Sequence, residues 1–169
     1  TATIIGNGIY LSCASPFNVE VVETDLMRVM QDSINDVTEL PNQCKDGYIV
    51  KVSNARISDE DDYYLKFIGD NGDGVGSWEE CAAPGIATSF NASTMPHVLQ
   101  RTATDTFTVK QFTYADRLVG DDTTNPFPTF ADGESKINKV LFFRNRIAFL
   151  SGENVILCKP GTLGKPDFF

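Results

Sequence analysis

The side chains best suited to chemistry in this 169-residue chain are its carboxylates, and they fall in short runs. Asp59-Glu60-Asp61-Asp62 and Glu79-Glu80 could offer the paired acids that glycosidic cleavage requires, one protonated and one ionised at a set separation. Consecutive residues fix no such separation, and both runs read as solvated faces. Asp70-Asn71-Gly72-Asp73-Gly74 gathers the oxygen ligands a hard cation prefers. Gly72 stands where a third-position ligand should be, however, and Cys81 takes the twelfth place instead of Glu. Asn, Asp and Gly are the residues of tight turns, so this stretch is expected to be a hairpin tip. His97 is the single histidine, and any Ser or Cys triad would have to use it. No G-x-S-x-G elbow accompanies it, and its place after Met95-Pro96 suits a strand entry.

The four cysteines, Cys13, Cys44, Cys81 and Cys158, stand far apart and form no C-x-x-C pair. With one histidine available, that spacing does not make a zinc site. The expectation is no catalytic, cofactor-binding or metal-ligating residue. Cys13 and Cys158 lie in apolar strand patterns and read as small buried thiols. Cys44 and Cys81 read as nearer the surface, and whether they pair stays open. No charged-then-apolar signal segment is present, so free thiols are expected, and the acceptor triplet Asn91-Ala92-Ser93 carries no glycosylation argument. Arg144 and Arg146 flank a turn and could meet phosphate. In an acidic chain they are better placed as fork-like partners for carboxylates of a neighbouring strand or subunit. Tyr63, Tyr64 and Trp78 fall on expected strands, where aromatics serve core or interface packing.

Those residues must be held by a mainly β scaffold. Apolar residues make up 41% and charged residues 22%, which is a folded composition, and no apolar run reaches membrane-helix length. The net charge of −9 opposes capture of a phosphate backbone, because such affinity comes from Lys and Arg displacing counterions. Runs at 2–5 and 9–13 around Gly6-Asn7-Gly8 predict a hairpin, and residues 17–22 alternate as a half-exposed strand should. Residues 26–34 fit either a helical face or a strand. Ser33-Ile34-Asn35-Asp36 has capping-box spacing, which predicts one short helix over 33–40, ending at Pro41. Strands are predicted at 48–52 and 63–68, with a hairpin returning through Trp78. A break at Ala82-Ala83-Pro84-Gly85 suggests two modules, 1–93 and 94–169. The second opens with a hairpin, 98–102 and 106–112. A polar stretch, 117–135, follows and reads as a contact loop.

The chain closes on three short apolar runs from Ile137 to Leu157, cut at Arg144-Asn145-Arg146 and Gly152-Glu153-Asn154. Such runs predict a β-meander buried on both faces. Phe142, Ile147, Phe149, Val155 and Leu157 are expected to include its most buried residues. Phe168-Phe169 reads as an exposed apolar end, which suggests a piece of a longer polypeptide.

Several of these stretches together resemble tail tubular protein B, the tail nozzle of short-tailed bacteriophages. They are Phe142-Phe143-Arg144-Asn145-Arg146 with Phe149-Leu150-Ser151-Gly152-Glu153-Asn154-Val155, Thr94-Met95-Pro96-His97, and the run from Val119-Gly120-Asp121-Asp122 through Thr123-Thr124-Asn125-Pro126-Phe127-Pro128. Gly47-Tyr48-Ile49-Val50-Lys51-Val52, Asp61-Asp62-Tyr63-Tyr64 and Gly76-Ser77-Trp78-Glu79-Glu80 complete the set, in the family's order from about residue 40 onward. The first forty residues resemble the family only in their strand-rich pattern. The resemblance implies a structural, non-enzymatic component of the virion tail with no cofactor. It implies a ring of six copies, contacts with the tail adaptor ring and tail fibre proteins, and viral DNA passing through without specific binding. It also implies a propeller-like platform to which the terminal meander would belong. The rival class is a polysaccharide-binding or polysaccharide-degrading tail module, which would need a cleft with two facing carboxylates and flanking aromatics.

Overall fold

The computed structural model describes residues 1–23, 26–53, 62–131, 133 and 135–169. Its packing divides the chain between Pro84 and Gly85 into two compact units. Both are built from β-strands joined by short turns and irregular segments.

In the first unit, β1 (Ala2–Ile5) and β2 (Gly8–Leu11) form a hairpin whose two-residue turn places Gly6 at φ +57°. The other strands, β3 (Ser33–Ile34), β4 (Gln43–Cys44), β5 (Ile49–Val52), β6 (Tyr63–Gly69) and β7 (Gly74–Cys81), make one sheet in the order β3-β5-β6-β7-β4. Val50, Val52 and Phe67 are fully enclosed. Val50 faces Leu65 and Phe67 faces Trp78 across the ladders, so one side of the pleat carries the core. Ile34, Met30 and Leu40 close over it. Trp78 donates its indole N–H to the Pro41 carbonyl at 2.9 Å and meets Phe67 and Tyr48 edge-on.

The helix expected over 33–40 does not form. Ser33–Ile34 is instead a strand parallel to β5, tied by Lys51 N–H to the Asp32 carbonyl and Ser53 N–H to the Ile34 carbonyl. What remains is one 3-10 turn, Val37–Glu39, capped by Asp36, whose carboxylate accepts from Thr38 N–H at 2.8 Å. Leu40 is already extended (φ −67°, ψ 131°), as the residue before a proline must be. Sheet pairing therefore overrode the capping signal. Residues 17–22 are no strand either, since their alternation finds no partner ladder among the described residues; Val22 is left 88% exposed. The helical face read in 26–34 is absent as well, with Leu26 and Met27 bent around the Glu23 carbonyl and exposed.

In the second unit, β8 (His97–Ala103) and β9 (Thr106–Gln111) form an isolated two-stranded ribbon. β10 (Ile137–Phe143), β11 (Arg146–Ser151) and β12 (Asn154–Leu157) form the meander, three strands in sequence order, where a propeller blade has four. The core is Met95, Tyr114, Phe149, Cys158 and Phe168, with Phe90, Phe112, Phe130, Ile137, Ile147 and Ile156 packed around it. Phe168 stacks on Phe149 at 5.1 Å and Phe169 on Phe90 at 4.7 Å. The final phenylalanines, expected to be exposed, are thus part of the core.

The burial expected of the meander is corrected too. Phe149 is 3% exposed, but Phe142 is 66%, Val155 61% and Leu157 37%; Ile147 is half-buried. Only β11, flanked on both sides, is covered over both faces, whereas β10 is an edge strand exposed at every residue after Ile137.

Candidate interaction surface

Directly paired residues of an antiparallel ladder share a face. Val140, Phe142, Ile147, Phe149 and Ile156 therefore lie on one side of the meander, the side that reaches the core. Leu141, Phe143, Arg146, Ala148 and Leu157 lie on the other. Phe143, Arg144, Arg146, Leu157 and Pro160 line a shallow pocket of about 250 Å³ at the β10–β11 end of the sheet.

The turn that closes this end is two residues long, and both Arg144 (φ +47°) and Asn145 (φ +61°) are left-handed. Two-residue hairpin turns demand that backbone, and Asn or Gly ordinarily supplies it. An arginine there costs roughly 1–2 kcal/mol relative to a residue at ease in that region. The Arg144 guanidinium lies over the Phe143 ring at 5.3 Å. Neither Arg144 nor Arg146 has a carboxylate partner among the described residues.

The β8–β9 ribbon presents a second uncovered apolar surface. Leu99 pairs with Val109 and Arg101 with Phe107, which puts Leu99, Phe107 and Val109 on one side. They are 65%, 58% and 67% exposed. The tip carries Asp105 in the left-handed conformation (φ +59°), and Arg101 folds its Nε–H back onto the Ala103 carbonyl at 3.2 Å.

The polar stretch 117–135, read as a contact loop, instead encloses a cation that the sequence reading overlooked. Arg117 is 2% exposed, with its guanidinium beside the rings of Phe127 (5.0 Å) and Phe169 (5.5 Å). Its Nη1 donates to Asp122 at 2.8 Å, while Nε and Nη2 have no acceptor, leaving ring faces to offset the buried charge. Asp121 shapes the loop by accepting from the backbone N–H groups of Thr123 and Thr124, and Asn125 donates to the Val119 carbonyl. The signal in the sequence was an arginine a few residues from an Asp-Asp pair and two phenylalanines.

The acidic candidates are dispersed. Asp62 meets Lys51 at 2.7 Å, and Asp59-Glu60-Asp61 lies outside the described residues. Glu79 and Glu80, successive on β7, point to opposite faces opposite Lys66 and Leu65. Asp73 accepts from Asp46 N–H at 2.8 Å and Asp46 from Gly69 N–H at 3.0 Å, so the Asp-Asn-Gly stretch pins a hairpin tip to the neighbouring loop. No three or more His, Cys, Asp and Glu side chains converge among the described residues. His97 opens β8 with Nδ1 3.1 Å from the Met95 carbonyl. Asn91 turns its side-chain oxygen onto Ser93, accepting from both its N–H and its hydroxyl. Tyr63 borders the first unit's core, and Tyr64 stands opposite Lys51 and Cys81.

All four cysteines are free, and Cys13, expected to be buried, is exposed. Cys158 is fully enclosed, its sulfur accepting from Ile147 N–H at 3.2 Å. Cys44 pairs with Gly74 at one end of β7 and Cys81 sits at the other, which keeps the two thiols apart. Burial raises the pKa of both, with Asp73 adding to the rise at Cys44 and Glu80 at Cys81. Tyr114 donates its hydroxyl to the Pro96 carbonyl at 2.8 Å, and burial pushes it up to about 12.

What the described residues offer is contact surface: an open strand edge, an uncovered ribbon and unpaired arginines at a turn. That is the chemistry of a structural β protein. The sequence profile of bacteriophage nozzle proteins matches residues 7–165, and the chain belongs to that family, the structural proteins of the viral tail. It is 36% identical over 122 residues to the tail tubular protein gp12 of Escherichia phage T7. The match takes in 72% of this chain and 15% of that relative's length.

Proposed function

We propose that this chain forms part of the wall of a phage tail nozzle, a structural role without catalytic, cofactor-binding or metal-ligating residues. Copies assemble in a ring of six around a channel, the ring contacts the tail adaptor and tail fibre proteins, and viral DNA passes through without specific binding. The observation that carries the reading is the family match over residues 7–165. The relative's printed name, a tail tubular protein, supports the tubular assembly. The DNA-conducting role draws support from the charge, 23 Asp and Glu against 14 Lys and Arg, which disfavours retention of a passing duplex. The two modules expected at 1–93 and 94–169 would each contribute sheet to the wall. Dispersal of Asp62, Asp73, Glu79 and Glu80 over separate partners and faces favours a structural role over glycan cleavage, which needs two facing carboxylates.

Electron microscopy of protein containing this sequence is the direct test. Rings with a central channel are expected. Compact particles without a channel, at concentrations where tails assemble, would overturn the reading.

A further inference from the structure

We infer that the β8–β9 ribbon of one copy of this chain seats on the β10–β11 end of a second copy. The Leu99-Phe107-Val109 face covers the Leu141-Phe143-Leu157 face, and Asp105 enters the pocket between Arg144 and Arg146. The inference rests on the proposed self-assembly and names the surfaces that would perform it.

Four observations converge on this pairing. Both faces are apolar and uncovered: Leu99, Phe107 and Val109 are 65%, 58% and 67% exposed, and Leu141 and Phe143 are 46% and 58%. Exposed patches of this kind, with a polar rim, mark protein contact sites. The lengths match, since β8 and β10 are each seven residues long. The charges are complementary: the pocket has two arginines without a carboxylate, and the ribbon tip carries an exposed carboxylate. Finally, Asp105, Arg144 and Asn145 are the non-glycine residues with positive φ among the described residues, and all lie at these two tips. Asp and Asn tolerate that region, but Arg144 does not. Strain of this sort persists where a site over-determines it.

A carboxylate from another copy suits the arginines better than a nucleic-acid phosphate does. The chain's charge of −9 repels a duplex as a whole, whereas a single Asp presents no such field. Ribbon and meander end are different surfaces, so the contact is heterologous, the kind that propagates into a ring or a filament. Each copy then offers both halves of the joint.

The test mixes two single variants, Asp105→Cys and Arg144→Cys, both in a Cys13→Ser background that removes the exposed native thiol. A disulfide forms only where Cα atoms come within about 7 Å. Oxidation of the mixture is expected to yield a cross-linked heterodimer, and neither variant alone is expected to dimerise. In sedimentation, Arg144→Asp with Arg146→Asp should weaken self-association at least about tenfold, and Asp105→Arg added to that pair should restore most of it, because the swap rebuilds opposite charges. Both tips are exposed, and circular dichroism checks that the variants stay folded. Association without the heterodisulfide, cross-links in either single variant as abundant as in the mixture, or no rescue by the swap would each overturn this surface while leaving ring assembly to the imaging test. A chain that stays monomeric in sedimentation would overturn it as well.

Discussion

Tyr114 shows how one buried side chain records its surroundings. Its phenol is neutral in the fold, hydrogen-bonded to Pro96, and burial holds its pKa up to about 12 against about 10 for a free tyrosine. The folded value lies above the unfolded one, so the stability tied to the neutral phenol is complete below pH 10. It is lost as pH rises through about 12, because the unfolded chain gives up the proton first. Absorbance at 295 nm should show Tyr114 ionising last among the five tyrosines, and Tyr114→Phe should delete that late step. Phe149 tests the packing. It is 3% exposed, between Phe130 at 5.1 Å and Phe168 at 5.1 Å, and its replacement by Ala leaves a cavity lined by rings. Chemical denaturation should give a loss of about 3–5 kcal/mol for Phe149→Ala. A loss below about 1 kcal/mol would mean the ring cluster closes over the gap or is not formed.

At the scale of elements, the β10–β11 hairpin sets local ease against contact. Its turn needs two left-handed residues and uses Arg144 for one of them. Arg144→Asn with Asn145→Gly installs the pair that such turns favour. Thermal unfolding should show the double variant stabilised by about 0.5–1 kcal/mol or more, since the backbone strain is relieved. An unchanged or lowered midpoint would show that Arg144 contributes more through its stacking on Phe143 than it costs in the turn. The 3-10 turn at Val37–Glu39 is the converse case. Asp36 caps it, and the Thr38 N–H holds that carboxyl below its usual pKa, but Pro41 and the pairing of β3 with β5 leave no room for a longer helix.

For the whole molecule, charge is the property that bears most on the proposed role. With a net charge of −9, the protein is expected to show no measurable duplex binding near physiological salt, where ordinary non-specific binders have Kd values of about 10⁻⁴ to 10⁻⁶ M. Fluorescence anisotropy with a labelled duplex checks this. Micromolar binding that falls steeply with salt would reveal a basic face and count against a wall that DNA slides past. The arginines at the Arg144–Asn145 turn and the buried Arg117 are too few and too confined to make such a face, the latter being enclosed by Phe127 and Phe169.

The sequence by itself determined the β class, most of the hairpins and the family. Turn residues and short β-rich runs are local signals, and Gly6-Asn7, Thr104-Asp105 and Arg144-Asn145 fall at hairpin tips whatever lies beyond them. It also showed that no metal-ligand or triad spacing is present, and it singled out the arginines of the turn. Tertiary structure decided which apolar residues are buried. Phe142 and Phe149 look alike in sequence, yet one lies on an edge strand and the other on the strand between two neighbours. It decided that residues 17–22 find no ladder while Ser33–Ile34 does, because a strand exists only where another chain segment completes its hydrogen bonds. It also placed Arg117 beside two rings, one ten residues along the chain and one fifty-two, a proximity that no local pattern encodes.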